Sequence, residues 1–408
     1  MLVKITNLVA YEILDCQGLP TLECTLTLNH KYVVKASIPN GISCGKNEAH
    51  VLLDKESRYH GLGMQKAATL LNTVIKKMLL LKEPDVQKID ALLLDYDSTA
   101  QKTILGANSM LCISIAVARA QALALECLLH QLLASLFFST PKKNTLRLCF
   151  NVFNGGMHAL KSIDIQEIML VMPPLLLSEQ LELGLRSLAE LKKTLLNKNI
   201  FFAQGIEGGI AAPIQTKAAL DIVATHIQTV FQQNGIKLTM ALDMAASHLF
   251  DTQTHSYHFL NQNLSPKELY EWYQTIIKEY PITFIEDPFD TCDHTWWKKL
   301  NQNSKDCFVV GDDLYTTDAK IITDPLLTEC AQGVIIKPNQ RGTISETIEA
   351  VKAAYAHQKT VIASHRSRET CDSFLADLAI AIDGSFIKAG CLGSERMAKY
   401  NRLIKITS

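Results

Sequence analysis

The first 40 residues alternate apolar and polar positions, as in Leu22-Glu23-Cys24-Thr25-Leu26-Thr27-Leu28 and Tyr32-Val33-Val34-Lys35-Ala36-Ser37-Ile38. A period of two puts successive side chains on opposite faces of a strand, so these runs predict a small antiparallel sheet. From Glu48 to Phe138 the pattern turns helical: Gln65 to Lys77 and the long run Ala107 to Leu136 carry apolar residues three and four apart. The polar stretch Ser139-Thr140-Pro141-Lys142-Lys143-Asn144 reads as a linker. We therefore expect an α+β cap domain over residues 1–138 and a second domain over 139–408.

Beyond the linker, short apolar runs alternate with amphipathic stretches, the pattern of βα units around a parallel sheet. The runs end in charged residues. Leu238 to Leu242 is followed by Asp243, Ile282 to Ile285 by Glu286, Phe308 to Gly311 by Asp312, Val334 to Ile336 by Lys337, Val361 to Ser364 by His365, and Phe386-Ile387 by Lys388. Most of the intervals match one strand, one helix and two loops. The fold class predicted is α/β, a cap followed by a β/α barrel of the TIM type. In such a barrel the strand ends open into one mouth, so six charged ends in register predict an active site there.

Composition narrows the function. Lys plus Arg number 40 and Asp plus Glu 41, a formal net charge of -1 that offers a nucleic acid no electrostatic footing. Eleven cysteines without a C-x-x-C pair read as reduced, mostly buried thiols. Lys4, Glu12 and Asp15 interrupt any signal-peptide core, and Glu126, His130 and Gln131 break the greasiest stretch, Ala122 to Phe138. The expectation is a cytoplasmic enzyme with no membrane span.

Asp243, Glu286 and Asp312 are hard oxygen ligands on neighbouring strands, and three carboxylates converging in a low dielectric need a cation; Mg²⁺ suits them better than zinc. Asp313 reads equally as a structural carboxylate or a direct participant. Lys337 and Lys388 are expected on strands opposite the acids, each lowering the other's pKa while the carboxylates raise it. A lysine beside a divalent metal suits removal of a proton α to a carboxylate. Ser364-His365-Arg366-Ser367 joins an imidazole, a guanidinium and a hydroxyl, which implies a phosphorylated anion as substrate. Asn154-Gly155-Gly156-Met157-His158 and Glu207-Gly208-Gly209 are read as loops that close over a ligand, with Glu207 an acid facing the lysine base. Pro39 to Gly45 is read as a lid.

Taken together, Asp15-Cys16-Gln17-Gly18-Leu19-Pro20-Thr21, Gly106-Ala107-Asn108, Asn154-Gly155-Gly156 with His158, Gln166-Glu167, Glu207-Gly208-Gly209, Asp243-Met244-Ala245-Ala246-Ser247, Ile285-Glu286-Asp287-Pro288, Gly311-Asp312-Asp313-Leu314, Lys337 with Asn339-Gln340, and Ser364-His365-Arg366-Ser367 through to Lys388 resemble the motifs of the enolase family, the phosphopyruvate hydratases of glycolysis. The resemblance covers almost the whole chain. It implies that Asp243, Glu286 and Asp312 hold the first Mg²⁺ and that Ser43 helps bind a second. Lys337 would take the C2 proton of 2-phosphoglycerate, Lys388 would neutralise the carboxylate, and Glu207, with Glu167 beside it, would protonate the departing C3 hydroxyl. Gln166, His158 and His365 would line the site, Arg366 and Ser367 would take the phosphate, and the assembly would be a homodimer.

The departures from the family pattern are Ile206 for an acid, Arg368 for a glycine after Ser367, Asn40 and Cys44 in the lid, and Gln17 for an interface arginine; the sequence stops at Ser408. A weaker dimer is expected from Gln17 and the short C-terminus. Arg368 is expected to add a cation near the phosphate, tightening binding and slowing release, with backbone strain if its φ is positive. The alternatives are a diverged relative acting on another phospho- or phosphono-acid, and a weakly active paralogue kept for protein binding. Muconate- and mandelate-type enzymes fit less well, because no K-x-K pair stands on an early barrel strand.

Overall fold

The computed structural model of the chain describes residues 3–42, 45–137, 145–160 and 162–408. β1 (Ile5–Leu14) pairs antiparallel with β2 (Pro20–Leu28), and β2 with β3 (Tyr32–Ser37). Leu22, Cys24, Leu26 and Leu28 are fully buried, so the period of two does turn one face of the sheet inward. Behind that face lie α1 (Val86–Tyr96), α2 (Ala107–Ala124) and α3 (Leu129–Phe137). By length and composition α2 is apolar enough to cross a membrane, but most of it is buried inside the protein.

Two helical expectations are corrected. The run from Ala107 to Leu136 is two helices, because Glu126 takes a φ of 54° and the Cys127 N–H turns back onto the Ala122 carbonyl, a left-handed helix stop. Residues 48–64 are mostly irregular. There the Asp54 carboxylate accepts from the backbone of Gln65 and Lys66, so helix begins only at Gln65.

Eight strands close the barrel: β4 (Arg147–Asn154), β5 (Glu167–Val171), β6 (Thr239–Asp243), β7 (Ile282–Glu286), β8 (Phe308–Gly311), β9 (Gly333–Ile336), β10 (Thr360–Ser364) and β11 (Phe386–Lys388), with β11 pairing β4. The repeat is parallel except at β5, which runs antiparallel to both neighbours. The connection from β4 holds one 3₁₀ turn, Gly156–His158, and no crossover helix, so the chain returns as a hairpin arm. The start of β5, where Glu167 stands, therefore shares the mouth with the ends of the other strands. Helices α4 (Leu177–Asn197) and α5 (Thr216–Asn234) follow before β6. Phe284, Phe386, Ile335, Ile362, Met169 and Val310 fill the interior below the mouth as an apolar plug.

Of the described cysteines none is disulfide-bonded; Cys24, Cys112, Cys149, Cys307, Cys330 and Cys391 are buried, whereas Cys16, Cys292 and Cys371 are exposed. The expected linker at 139–144 lies outside the described residues.

The cap joins the barrel through buried polar contacts to α6 (Ile344–Ala356). Asp90 of α1 accepts from the Ser345 N–H at 2.9 Å and hydroxyl at 2.8 Å, while its other oxygen has no partner. Burial pushes the Asp90 carboxyl up to about 6. A raised carboxyl binds its proton more tightly in the folded state, so its charge penalises folding above that pKa and the penalty is relieved as pH falls toward the unfolded value of about 4. Asp90→Asn should therefore melt higher than the parent at about pH 8, with the gain shrinking as pH falls through about 6; thermal melts across that range check it.

Candidate active site

Strand register builds the acid row. Glu167 is paired with Asp243 and Asp243 with Glu286, so three carboxylates stand side by side on β5, β6 and β7, and Asp312 follows at the end of β8. Lys388, paired with Ser364 and Cys149 on the far wall, reaches across. Its ammonium lies 2.5 Å from Glu286, 3.3 Å from Asp243 and 3.5 Å from Glu167. The Lys337 ammonium sits on the Asp312 carboxylate, which also accepts from Gln340 at 3.0 Å. Burial alone would depress both lysines, but the carboxylates win: Lys388 is held well above its ordinary value by Glu167, Glu286 and Asp243, and Lys337 is raised by Asp312. The mutual lowering expected of the lysines is overridden by this contact.

Burial and the Asp243 charge push Glu286 up to about 8. Its Oε1 is buried without a partner. Asp287 uses both carboxylate oxygens on the backbone N–H groups of Asp312 and Asp313, at 2.9 Å each, and so fixes the loop after β8. Asp313 lines the mouth, pushed up to about 7 by burial and Asp312. The charges of Asp243, Glu286 and Asp312 are thus offset by two ammoniums. Among the described residues, the three carboxylates whose oxygens all lie within 4.8 Å of one another are Asp287, Asp312 and Asp313; Asp243 and Glu286 are not brought into that group, although their hard oxygens and the unpaired Glu286 Oε1 suit a divalent cation that would take over that task.

A second group adjoins the acid row at Glu167. His158, Glu167 and Glu207 each bring a ligand atom within 4.8 Å of the others. Glu207 accepts from Asn151 at 3.0 Å, and His365 Nε2 lies 3.3 Å from the same carboxylate oxygen. Arg396 Nη1 lies 2.6 Å from His365 Nδ1. A guanidinium only donates, so Nδ1 accepts and the imidazole proton belongs on Nε2, facing Glu207. Burial takes His365 down to about 4. Burial and the Glu207 charge push Glu167 well above the usual carboxylate range, whereas in Glu207 burial is outweighed by His365 and His158 and the group is held below it. Of the two, Glu167 is the carboxyl whose surroundings favour the proton.

One glycine of each pair packs tightly against neighbouring backbone. A Cβ on Gly155 would fall 2.1 Å from the Ile163 carbonyl, and Gly208, at φ 89°, would bring one 2.3 Å from the Leu392 nitrogen. Close backbone approach is what requires them.

Arg366 is clasped by Glu48 of the cap, Nη1 to Oε2 at 2.9 Å and Nη2 to Oε1 at 3.2 Å, and Ser367 Oγ accepts from the Ile42 N–H of the lid at 3.0 Å. Arg368 departs from expectation. Its φ is not positive, its backbone bridges Asn40, and its guanidinium turns to Asp15 at 2.6 Å and the Pro20 carbonyl at 3.2 Å. It lies outside the mouth lining and adds no cation there.

Gln166, His158, Glu167, Glu207, Asp243, Asp312, Lys337, His365, Arg366, Ser367 and Lys388 all line the mouth. Glu286 lies just below, fully buried. Ser43 falls outside the described residues. Sequence reasoning missed Glu48, Asn151, His248 and Arg396. Asn151 left a signal, an amide inside the apolar run of β4; the other three sit on loops or helices where a polar residue is ordinary.

Residues 5–133 match the family described as enolase, N-terminal domain, and residues 146–408 that described as enolase, C-terminal TIM barrel domain. The chain belongs to the enolase family. The enolase of Ehrlichia ruminantium strain Welgevonden is 38% identical over 416 residues, 99% of this chain and 96% of the relative. That of Legionella pneumophila strain Philadelphia 1 is 38% identical over 408 residues (97% and 94%), and that of Wolinella succinogenes 37% over 420 residues (100% and 97%). As an enolase with both domains, the chain is a hydro-lyase.

For this enolase, Arg368 is a structural tie between barrel and cap. Removing one partner of a buried pair leaves an uncompensated charge, so Arg368→Ala should cost about 3 kcal/mol of stability, partly recovered in the double variant with Asp15→Asn. Chemical denaturation of the two single variants and the double checks it.

Proposed function

We propose that the chain catalyses the reversible, Mg²⁺-dependent loss of water from 2-phosphoglycerate to give phosphoenolpyruvate. The observation that carries this reading is the division of one buried mouth into two groups. One is Asp243, Glu286 and Asp312 with two lysines; the other is His158, Glu167 and Glu207, which adjoins it at Glu167. Taking a proton from one carbon and delivering one to the hydroxyl on the next needs a base and an acid kept apart.

In this reading Arg366 and Ser367 bind the phosphate, Lys388 lies against the substrate carboxylate, and Gln166, His158 and His365 complete the walls. Lys337 takes the proton from C2. Glu207 receives the proton held on Glu167 and gives it to the C3 oxygen, which leaves as water. Asp243, Glu286 and Asp312 would hold Mg²⁺, with Ser43 a ligand to a second ion. When bound, the cation would supply the positive charge that the two ammoniums now give these acids and offset the charge that develops on the substrate carboxylate. Displacement of its ammonium from Asp312 is what Lys337 needs in order to act as a neutral amine.

The same reading puts the enzyme in the cytoplasm as a homodimer, with the domain boundary at 138/139. The exposed Gln17 stands where the family resemblance has an interface arginine, which supports a dimer weaker than usual.

Following phosphoenolpyruvate by its ultraviolet absorbance tests the reaction: activity with Mg²⁺ and none in excess chelator is expected, and turnover in chelator overturns the metal. Lys337→Ala should stop exchange of the C2 proton with solvent. Glu207→Gln should keep that exchange while blocking loss of the hydroxyl; equal loss of both steps overturns the separate acid.

A further inference from the structure

We propose that Glu48 is a positioning residue, which holds the Arg366 guanidinium in place for a phosphate. The inference rests on the reading of Arg366 as the phosphate-binding group. Glu48 lies in the cap just beyond the lid, and Arg366 at the end of the barrel's β10, so their contact crosses the domain seam.

Both side chains are almost wholly buried, Glu48 at 7% and Arg366 at 5% exposure. Each carboxylate oxygen meets a different terminal nitrogen of the guanidinium, a two-point clasp that fixes the plane of the fork as well as its place. Asn339 Oδ1, from the loop that follows Lys337, accepts from the same Nη1 at 3.2 Å.

Glu48 is itself held from the lid. Its Oε1 accepts from the Gly45 N–H at 3.0 Å, and its own N–H bonds the Gly45 carbonyl at 3.1 Å, closing a turn. The next residue, Ala49, donates its N–H to the Gln340 carbonyl at 2.8 Å, which anchors the turn to the barrel. The carboxylate that orients Arg366 is therefore itself held by the backbone at Gly45. Ile42 donates to Ser367 Oγ, so the described part of this loop meets Ser367 directly and Arg366 only through Glu48.

A guanidinium oriented in advance grips an incoming phosphate without reorganising, and that gain belongs to binding. Glu48→Gln keeps the shape but offers one acceptor oxygen and no charge; Glu48→Asp keeps the charge on a shorter arm. Steady-state kinetics with 2-phosphoglycerate, together with competitive inhibition by inorganic phosphate as a probe of the phosphate site, separates the cases. In Glu48→Gln, KM and the phosphate inhibition constant should both rise roughly ten-fold while kcat changes less than about three-fold, and Glu48→Asp should recover part of the loss. Unchanged KM and inhibition constant in both variants overturn the proposal. So does tighter phosphate binding, which would make Glu48 a competitor for Arg366. If Glu48→Gln fails to fold, Glu48→Asp carries the same comparison. Arg366→Lys is the control: should it leave phosphate inhibition unchanged, the reading of Arg366 fails, independently of Glu48.

Discussion

Burying Glu167, Asp243, Glu286 and Asp312 on neighbouring strands of one barrel mouth is the constraint from which the rest of the site follows. Taken from water singly, each would cost several kcal/mol, and side by side they would also repel. Lys388 answers this by reaching across the barrel into the angle between Glu167, Asp243 and Glu286, and Lys337 by lying on Asp312. The aromatic plug beneath, with Phe284 and Phe386, excludes water from below and keeps these interactions in a low dielectric. A site that balances acids with ammoniums is also one in which a divalent cation can take the ammoniums' place.

Glu167 stands between the two functional groups because β5 runs against its neighbours. One of its oxygens faces Lys388 at 3.5 Å, the other His158 at 3.5 Å. Beyond His158, Glu207 is served by Asn151 and by His365, whose proton is directed by Arg396. The Arg396 guanidinium also bonds the carbonyls of Arg366 at 2.8 Å and Ser367 at 2.7 Å. One fully buried arginine thus sets the His365 imidazole and the backbone of Arg366 and Ser367 together.

Besides the contacts to α6, the seam between cap and barrel runs along one loop. Arg366 meets Glu48, Ser367 meets Ile42, Arg368 meets Asp15 and the backbone of Asn40, and the Glu369 carbonyl accepts from Cys16. Because these residues follow directly on the end of β10, the cap is tied to the mouth at Arg366 and Ser367.

The sequence by itself determined the sheet, the barrel and six of the charged strand ends, because a period of two and a repeating strand–helix interval depend only on local geometry. It also determined the family, through motifs spread over almost the full chain. Only the tertiary structure decided that β5 runs antiparallel, since that direction depends on the absence of a helix in one connection. Only it decided that Lys388 and Lys337 lie on the acids, that Arg368 turns away to Asp15, and that Glu48 clasps Arg366. Each of those contacts joins residues far apart in the chain, where no local pattern reports which charge will meet which.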